Sequence, residues 1–358
     1  MIQTAKNKIV SRQSNIELLR ILSMLLIIVS HISLFSLGTA QMFSSRYYIV
    51  EIMRSISVCA TNVFVLISGY FGIKYSKQKI FALDFKTMQY TYILFALTVL
   101  LGIHTIKPTH DLKLLFPVIT SQYWFITAYI VLCIISPLLN KILSALSATD
   151  LRKALITVFL IYYGVNTFCM LVNGKRLVSD FGYGIVNFVC LYFFGYYIRH
   201  YFENKHSFVL WMFLWALSCG SAFGVDLVMS KIKGTNYQYM MSYDNIFILL
   251  SALFLFIAFT KIDIGSNKII NRLSAACLSV YLIHINPSFS AYLFKTIFKV
   301  NKADNLHLLL AYLIVPVGVY ISCFFIDCAL SFLLKPLSNL YIKVLTSLTD
   351  KAKKLLKI

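Results

Sequence analysis

Apolar runs of about twenty residues recur along the whole 358-residue chain, and nothing else in it restricts the fold as tightly. A helix of that length crosses ~30 Å of hydrocarbon. In hydrocarbon every backbone N–H and C=O must find a partner within a helix or a closed barrel. None of the runs alternates apolar and polar residues with period two, which removes the barrel. The expected fold is therefore all-α, a polytopic membrane helical bundle of about ten transmembrane helices. Its spans are drawn at 17–38, 48–71, 87–106, 122–143, 152–172, 181–202, 207–230, 244–263, 270–294 and 307–334. Hydrophobic residues make up 59% of the chain and the mean hydropathy is +0.78, well above a soluble domain.

The formal charge of +20 would suit nucleic acid or an anionic membrane, and its distribution favours the membrane. With the N-terminus in the cytoplasm, the cytoplasmic side holds 22 of the 33 Lys and Arg residues, the outer side 10, and Arg54 lies within the second span. Such a bias places both termini in the cytoplasm. The chain then divides into a basic N-terminus (1–16), one transmembrane domain (17–334) and a basic tail (335–358) that meets anionic lipid. No nucleic acid partner is expected, and an oligomer is left open. The longest connections, between spans two and three and between three and four, are about fifteen residues, so the machinery must lie in the helices and short loops. The eight cysteines all fall inside drawn spans without a CxxC pair, so they read as apolar packing residues, with no disulfide framework and no metal site. The basic start, apolar stretch and Gly38-Thr39-Ala40 have the outline of a cleavable signal, but the apolar run is long for one.

Arg20 and His31 carry the strongest chemical signal. Eleven helical steps return His31 to nearly the face of Arg20, about 16 Å further along the axis. An ionisable group at such depth is costly and points to function. Neutral imidazole can take a proton from a hydroxyl near neutral pH, which makes His31 the candidate base. Arg20 suits phosphate, with Glu17 one turn before it as support or as a simple ion-pair partner. At the end of the second span, Ser68-Gly69-Tyr70 is followed by Lys74, Lys77 and Lys79. Glycine there would let the backbone approach a ligand and the lysines would hold the phosphates of a nucleotide-like cofactor, the alternative being a helix stop with positive-inside lysines. His284, before Pro287, and Trp124 are candidates for substrate contact or support. Glu51 with Arg54, Asp226 and Asp327 are intramembrane charges that need partners, and Gly220 with Gly224 has the spacing of a packing seam.

Taken in order, Arg20-x10-His31, the stretch Phe64-Val65-Leu66-Ile67-Ser68-Gly69-Tyr70, Tyr123-Trp124-Phe125 and Tyr281-Leu282-Ile283-His284 resemble the acyltransferase-3 family of integral membrane acyltransferases. The resemblance implies transfer of an acyl group, commonly acetyl from cytoplasmic acetyl-CoA, to a hydroxyl of a cell-surface glycan. It implies an essential His31 and an Arg20 engaged with the donor. The expected acceptor is a lipid-linked or exported polysaccharide sugar, and the expected location a cell membrane, as in the bacterial plasma membrane. Members often carry an RxxR stretch after the second span, where this chain has Lys74-Tyr75-Ser76-Lys77. The rival expectation is a transporter or flippase in which His31, Glu51 and Asp327 form a proton relay. It predicts internal repeats, and none is visible.

Overall fold

The computed structural model describes residues 13–176 and 180–356. Among them 77% are helical and none lies in a strand. The main helices are α1 (Ser14–Leu37), α2 (Ser45–Ser57), α3 (Ala60–Phe71), α4 (Lys77–Leu100), α5 (Trp124–Ala145), α6 (Ala148–Val172), α7 (Ile185–His200), α8 (Phe208–Lys233), α9 (Ile246–Phe259), α10 (Lys268–Ser274), α11 (Cys277–His284), α12 (Asn305–Leu333) and α13 (Lys335–Leu356). Short polar side chains set many of the starts. Ser44, Ser76, Ser147, Ser207, Asn267 and Asp304 each accept a backbone N–H from the first turn of the helix that follows.

Among the described residues, six segments are long and apolar enough to cross a membrane: α1, the pair α2–α3 taken together, α5, α6, α8 and α12. α9 is apolar but only 14 residues long. The drawn spans shift where polar signals override hydropathy. The third, drawn at 87–106, is a helix from Lys77 to Leu100, because Ser76 caps its start and Gly102, at φ +67°, turns the chain away. The ninth, drawn at 270–294, breaks between α10 and α11 and ends at His284. Asn286 secures the chain around Pro287, accepting from Ser288 N at 3.0 Å and donating to the Tyr123 hydroxyl at 2.9 Å. A break at membrane depth needs such protein partners. The basic tail is helix α13, laid against α4 by the Tyr341 hydroxyl donating to Asp84 at 2.6 Å and by the Lys77–Asp350 ion pair.

Contacts gather the connections at two ends. At one end Ser14 meets Asn267 and Asn271, Asn15 meets Phe259, Asn204 meets Thr260, and Lys77 meets Asp350. At the other, Arg46 donates to Val300 and Ala303, Gln238 to Glu51, and Arg176 pairs with Asp244. The first is called the basic end below and the second the far end.

α1 is central, touching α2, α3, α9, α10, α11 and α12. It divides two apolar cores. Ile16 and Leu19 enter a core built mainly from α3, α5, α6, α7, α8 and α9, while Met24, Ile28 and Ile32 enter one shared with α4, α11 and α12. Many large apolar side chains point outward, among them Leu100, Val209, Leu313 and Phe332, each at least 70% exposed. In water so much apolar surface would drive aggregation, whereas lipid accepts it.

The intramembrane charges have partners. Asp327 accepts from Lys86 Nζ at 2.9 Å and the Tyr90 hydroxyl at 2.8 Å, Glu51 faces Arg54 at 3.6 Å, and Asp226 accepts from Met240 N at 3.0 Å. Gly220 and Gly224 look onto open space, so the packing seam that their spacing suggests is not used within this chain.

Candidate active site

A cavity of about 460 Å³ lies between the two cores. Its α1 wall is the stripe Arg20, Met24, Ile27, Ser30 and His31, the spacing of a single helix face. Arg20 and His31 thus line one chamber. α3 adds Thr61, Phe64 and Ser68, α5 adds Trp124, Phe125 and Tyr129, and the α10–α11 break adds Ser274 and Cys277. The break matters for the site, since it puts a bend of the backbone rather than a straight helix against the chamber.

His284 stands behind His31. Its Nε2 lies 3.0 Å from His31 Nδ1, and its Nδ1 lies 2.6 Å from the Val280 carbonyl oxygen. A carbonyl only accepts, so the Nδ1 of His284 carries the proton. With both rings neutral, His284 Nε2 is then an acceptor and His31 Nδ1–H donates to it. The assignment leaves the lone pair of His31 on Nε2, the nitrogen with no hydrogen-bond partner among the described residues, in a residue that lines the cavity. A histidine whose second nitrogen is fixed in this way is held in one tautomer and one orientation.

Towards the basic end the chamber adjoins a smaller cavity of about 240 Å³, and Arg20, Ser68, Leu83 and Tyr129 border both. The smaller cavity reaches Lys74, Ser76 and Lys79. Arg20 therefore stands where the two meet. Glu17 is 3.8 Å from its guanidinium and also accepts from the Ser274 hydroxyl, which ties α1 to the α10–α11 break and steadies the arginine. Ser68 donates to the Phe64 carbonyl at 3.0 Å and approaches the Tyr129 hydroxyl at 3.4 Å.

Three residues singled out from the sequence sit elsewhere. Gly69 does allow a close approach, but of helix to helix: a Cβ there would lie 2.1 Å from the Tyr192 carbonyl oxygen of α7, and one on Gly195 would lie 2.2 Å from the Leu66 oxygen. Tyr70 turns to α7 and α9, where its hydroxyl accepts from Arg199 at 3.0 Å and its ring packs on Phe256. Lys77 is held by Asp350 of α13. Lys79, two residues on, borders the smaller cavity instead. It is one of the three lysines that the sequence marks after the second span, and the Ser76 cap with a 200° turn from Lys77 places the two on opposite sides of α4.

At the far end Trp124 lines the chamber within an aromatic cluster. Its ring centroid is 4.4 Å from that of Tyr183 and 5.4 Å from that of Tyr243, and Thr61 approaches the Tyr243 hydroxyl at 3.4 Å. Tyr183 and Tyr243 come from separate connections, so no local pattern in the chain signals that they join Trp124. Neither Glu51 nor Asp327 lines the chamber, and both are tied to other partners, so the described residues do not link them to His31 in a proton relay.

A family model described as an acyltransferase domain matches residues 13–332, which takes in the chamber, the smaller cavity and every helix from α1 to all but the last residue of α12. No curated protein and no solved structure gives a significant match. With its apolar helices and a match over most of its length, the chain belongs to the acyltransferase-3 family of membrane acyltransferases.

Proposed function

We propose that this protein is a membrane O-acyltransferase that moves an acetyl group from acetyl-CoA to a hydroxyl of a lipid-linked or cell-surface polysaccharide sugar. The observation that carries the reading is the Val280–His284–His31 chain, which leaves one imidazole nitrogen without a partner among the described residues, in a chamber that has a cationic route on one side and an aromatic wall on the other. The chain passes the bilayer ten times, with α10–α11 as a broken pass and both termini in the cytoplasm. The basic end then faces the cytoplasm and the donor. The thioester reaches the chamber past Lys74, Lys79 and Arg20, with Ser68 at the junction. The sugar enters from the far end, where the flat faces of Trp124, Tyr183 and Tyr243 suit a sugar ring.

In the reaction His31 Nε2 takes the proton of the acceptor hydroxyl as its oxygen attacks the thioester carbonyl carbon. The carbon–sulfur bond breaks, and the proton passes from Nε2 to the departing thiolate, giving an O-acyl sugar and the free thiol. Base catalysis of this kind contributes about 10²–10⁴-fold. Holding both substrates in one chamber supplies a further large share of the rate. The test uses purified protein in lipid vesicles with acetyl-CoA and a polysaccharide acceptor, reading free thiol and acetylated glycan together. Wild type is expected to produce both, and His31→Ala neither, while still inserting and melting as wild type does. Glycan movement across the vesicle with no thiol released would favour the transporter instead.

A further inference from the structure

α13 lies beyond the residues matched to the family, and none of its side chains is buried. Its outward surface divides in two. Leu337, Leu340, Val344, Leu348 and Leu355 follow one arc of the helix and are each 47% exposed or more. Asn339, Lys343, Ser347, Asp350 and Lys354 follow another, centred about 100° away. The apolar arc suits the lipid boundary. The polar arc does something else: with Lys351, Thr346 and Gln78 of α4 it forms an open groove of about 710 Å³, within the size range of ligand sites.

The groove is built against the start of α4. Tyr341 packs its ring 5.3 Å from that of Phe85 and donates to Asp84, and Lys77 reaches across to Asp350. The ion pair uses the one carboxylate of the groove, leaving Lys343, Lys351 and Lys354 as cations along its wall with no ion-pair partner among the described residues. Thr346 is half-exposed, yet its hydroxyl oxygen is covered and has no hydrogen-bond partner among the described residues. On the opposite side of the same turn, Ser76 and Lys79 border the smaller cavity that leads to Arg20. Groove and passage thus flank one helical turn.

An acyl thioester of coenzyme A has two unlike ends. The thioester arm is slender and can thread a chamber walled by aromatic and aliphatic side chains. The nucleotide end carries several phosphate charges and must stay in water, where cations can meet it. We propose that α13 completes the donor site, with Lys343, Lys351 and Lys354, Gln78 and the Thr346 hydroxyl holding the phosphate-bearing nucleotide end while the thioester passes Lys79 and Arg20 to His31. The proposal rests on the acyl-transfer reading above. Anionic lipid headgroups offer the same phosphate chemistry, but Lys343 and Lys354 lie on the arc turned from the apolar one.

The experiment compares wild type with the triple variant Lys343→Ala, Lys351→Ala, Lys354→Ala in phosphatidylcholine vesicles, using acetyl-CoA and S-acetylpantetheine, which has the same arm and no nucleotide. Adenosine 3′,5′-bisphosphate binding is measured beside it. The triple variant is expected to raise KM for acetyl-CoA about tenfold, the scale of three exposed charge contacts. It should leave KM for S-acetylpantetheine unchanged and weaken bisphosphate binding by a similar factor. Lys335→Ala, on α13 outside the groove, should change neither. An unchanged KM for acetyl-CoA, or equal losses with both donors, would overturn the proposal. So would a defect seen only when phosphatidylglycerol is present, since the lysines would then serve lipid. Lysine-dependent bisphosphate binding without thiol release from either donor would keep the nucleotide groove and sink the acyl-transfer reading instead.

Discussion

His284→Ala isolates the tautomer lock. In the wild-type protein the His31 Nδ1–H has one acceptor, His284 Nε2 at 3.0 Å, and that acceptor is itself fixed by the Val280 carbonyl at 2.6 Å. Without the second imidazole the two neutral tautomers of His31 lose their bias and the ring loses its anchor. A net hydrogen bond is worth about 0.5–1.5 kcal/mol. Since about 1.4 kcal/mol is tenfold, kcat should fall by about two- to tenfold. Loss of the base itself, in His31→Ala, should cost about 10²–10⁴-fold. KM for acetyl-CoA should stay put in His284→Ala, because Arg20 and the passage at the basic end are untouched. Thiol release in vesicles measures all of this, with the melting temperature as a check on the fold. His284→Gln returns an amide oxygen able to accept from Nδ1 and should recover part of the rate. Two results refute the reasoning: a His284→Ala enzyme as inactive as His31→Ala, which makes His284 a direct participant, or one with an unchanged kcat, which makes the contact incidental.

Arg20→Ala should raise KM for acetyl-CoA by about 10–100-fold, the scale of a lost charged hydrogen bond of ~1.5–3 kcal/mol, and leave KM for the acceptor unchanged; a titration with no change in donor dependence would return Arg20 to a structural ion pair with Glu17. Gly69→Ala should destabilise the protein by at least the ~1–3 kcal/mol typical of overpacking, since the new Cβ would lie 2.1 Å from backbone of α7, and Gly220→Ala, which meets nothing within 4 Å, should not. Thermal melting of the two variants decides that comparison, and equal melting points would contradict the helix crossing. Cysteine in place of Lys77 should label only from the cytoplasm, and cysteine in place of Lys175 only from outside; the reverse pattern would invert the donor and acceptor ends.

Much of the helical framework could be read in the chain because lipid demands long apolar helices and the Ser, Asn and Asp caps mark their starts. The breaks could not. Val58-Cys59 and Ala275-Ala276 interrupt their helices with neither glycine nor proline, the residues that usually announce a break. What holds the second open is tertiary: Ser274 binds Glu17, 257 positions away, and Cys277 follows it into the chamber wall. Arg20 and His31 were legible because both lie on one helix, where spacing alone sets direction. His284 was visible as an intramembrane histidine, but its contact with His31 spans 253 positions and no local periodicity encodes it.

The lysines after α3 show how far spacing can be taken. Lys74 and Lys77 stand three apart, which on a helix would put them on one face. Lys74, however, belongs to the non-helical stretch 72–76, and Ser76 adopts an extended backbone at φ −154° and ψ 116° before α4 begins. Their spacing therefore carries no common direction. Helical register starts only at Lys77, and from there two steps turn Lys79 by about 200°. One lysine joins Asp350 of α13 while the other borders the passage to Arg20. The cation beside the donor route is thus fixed by where the cap places the first turn, since each residue by which that cap moved would turn both lysines by about 100° away from their present neighbours.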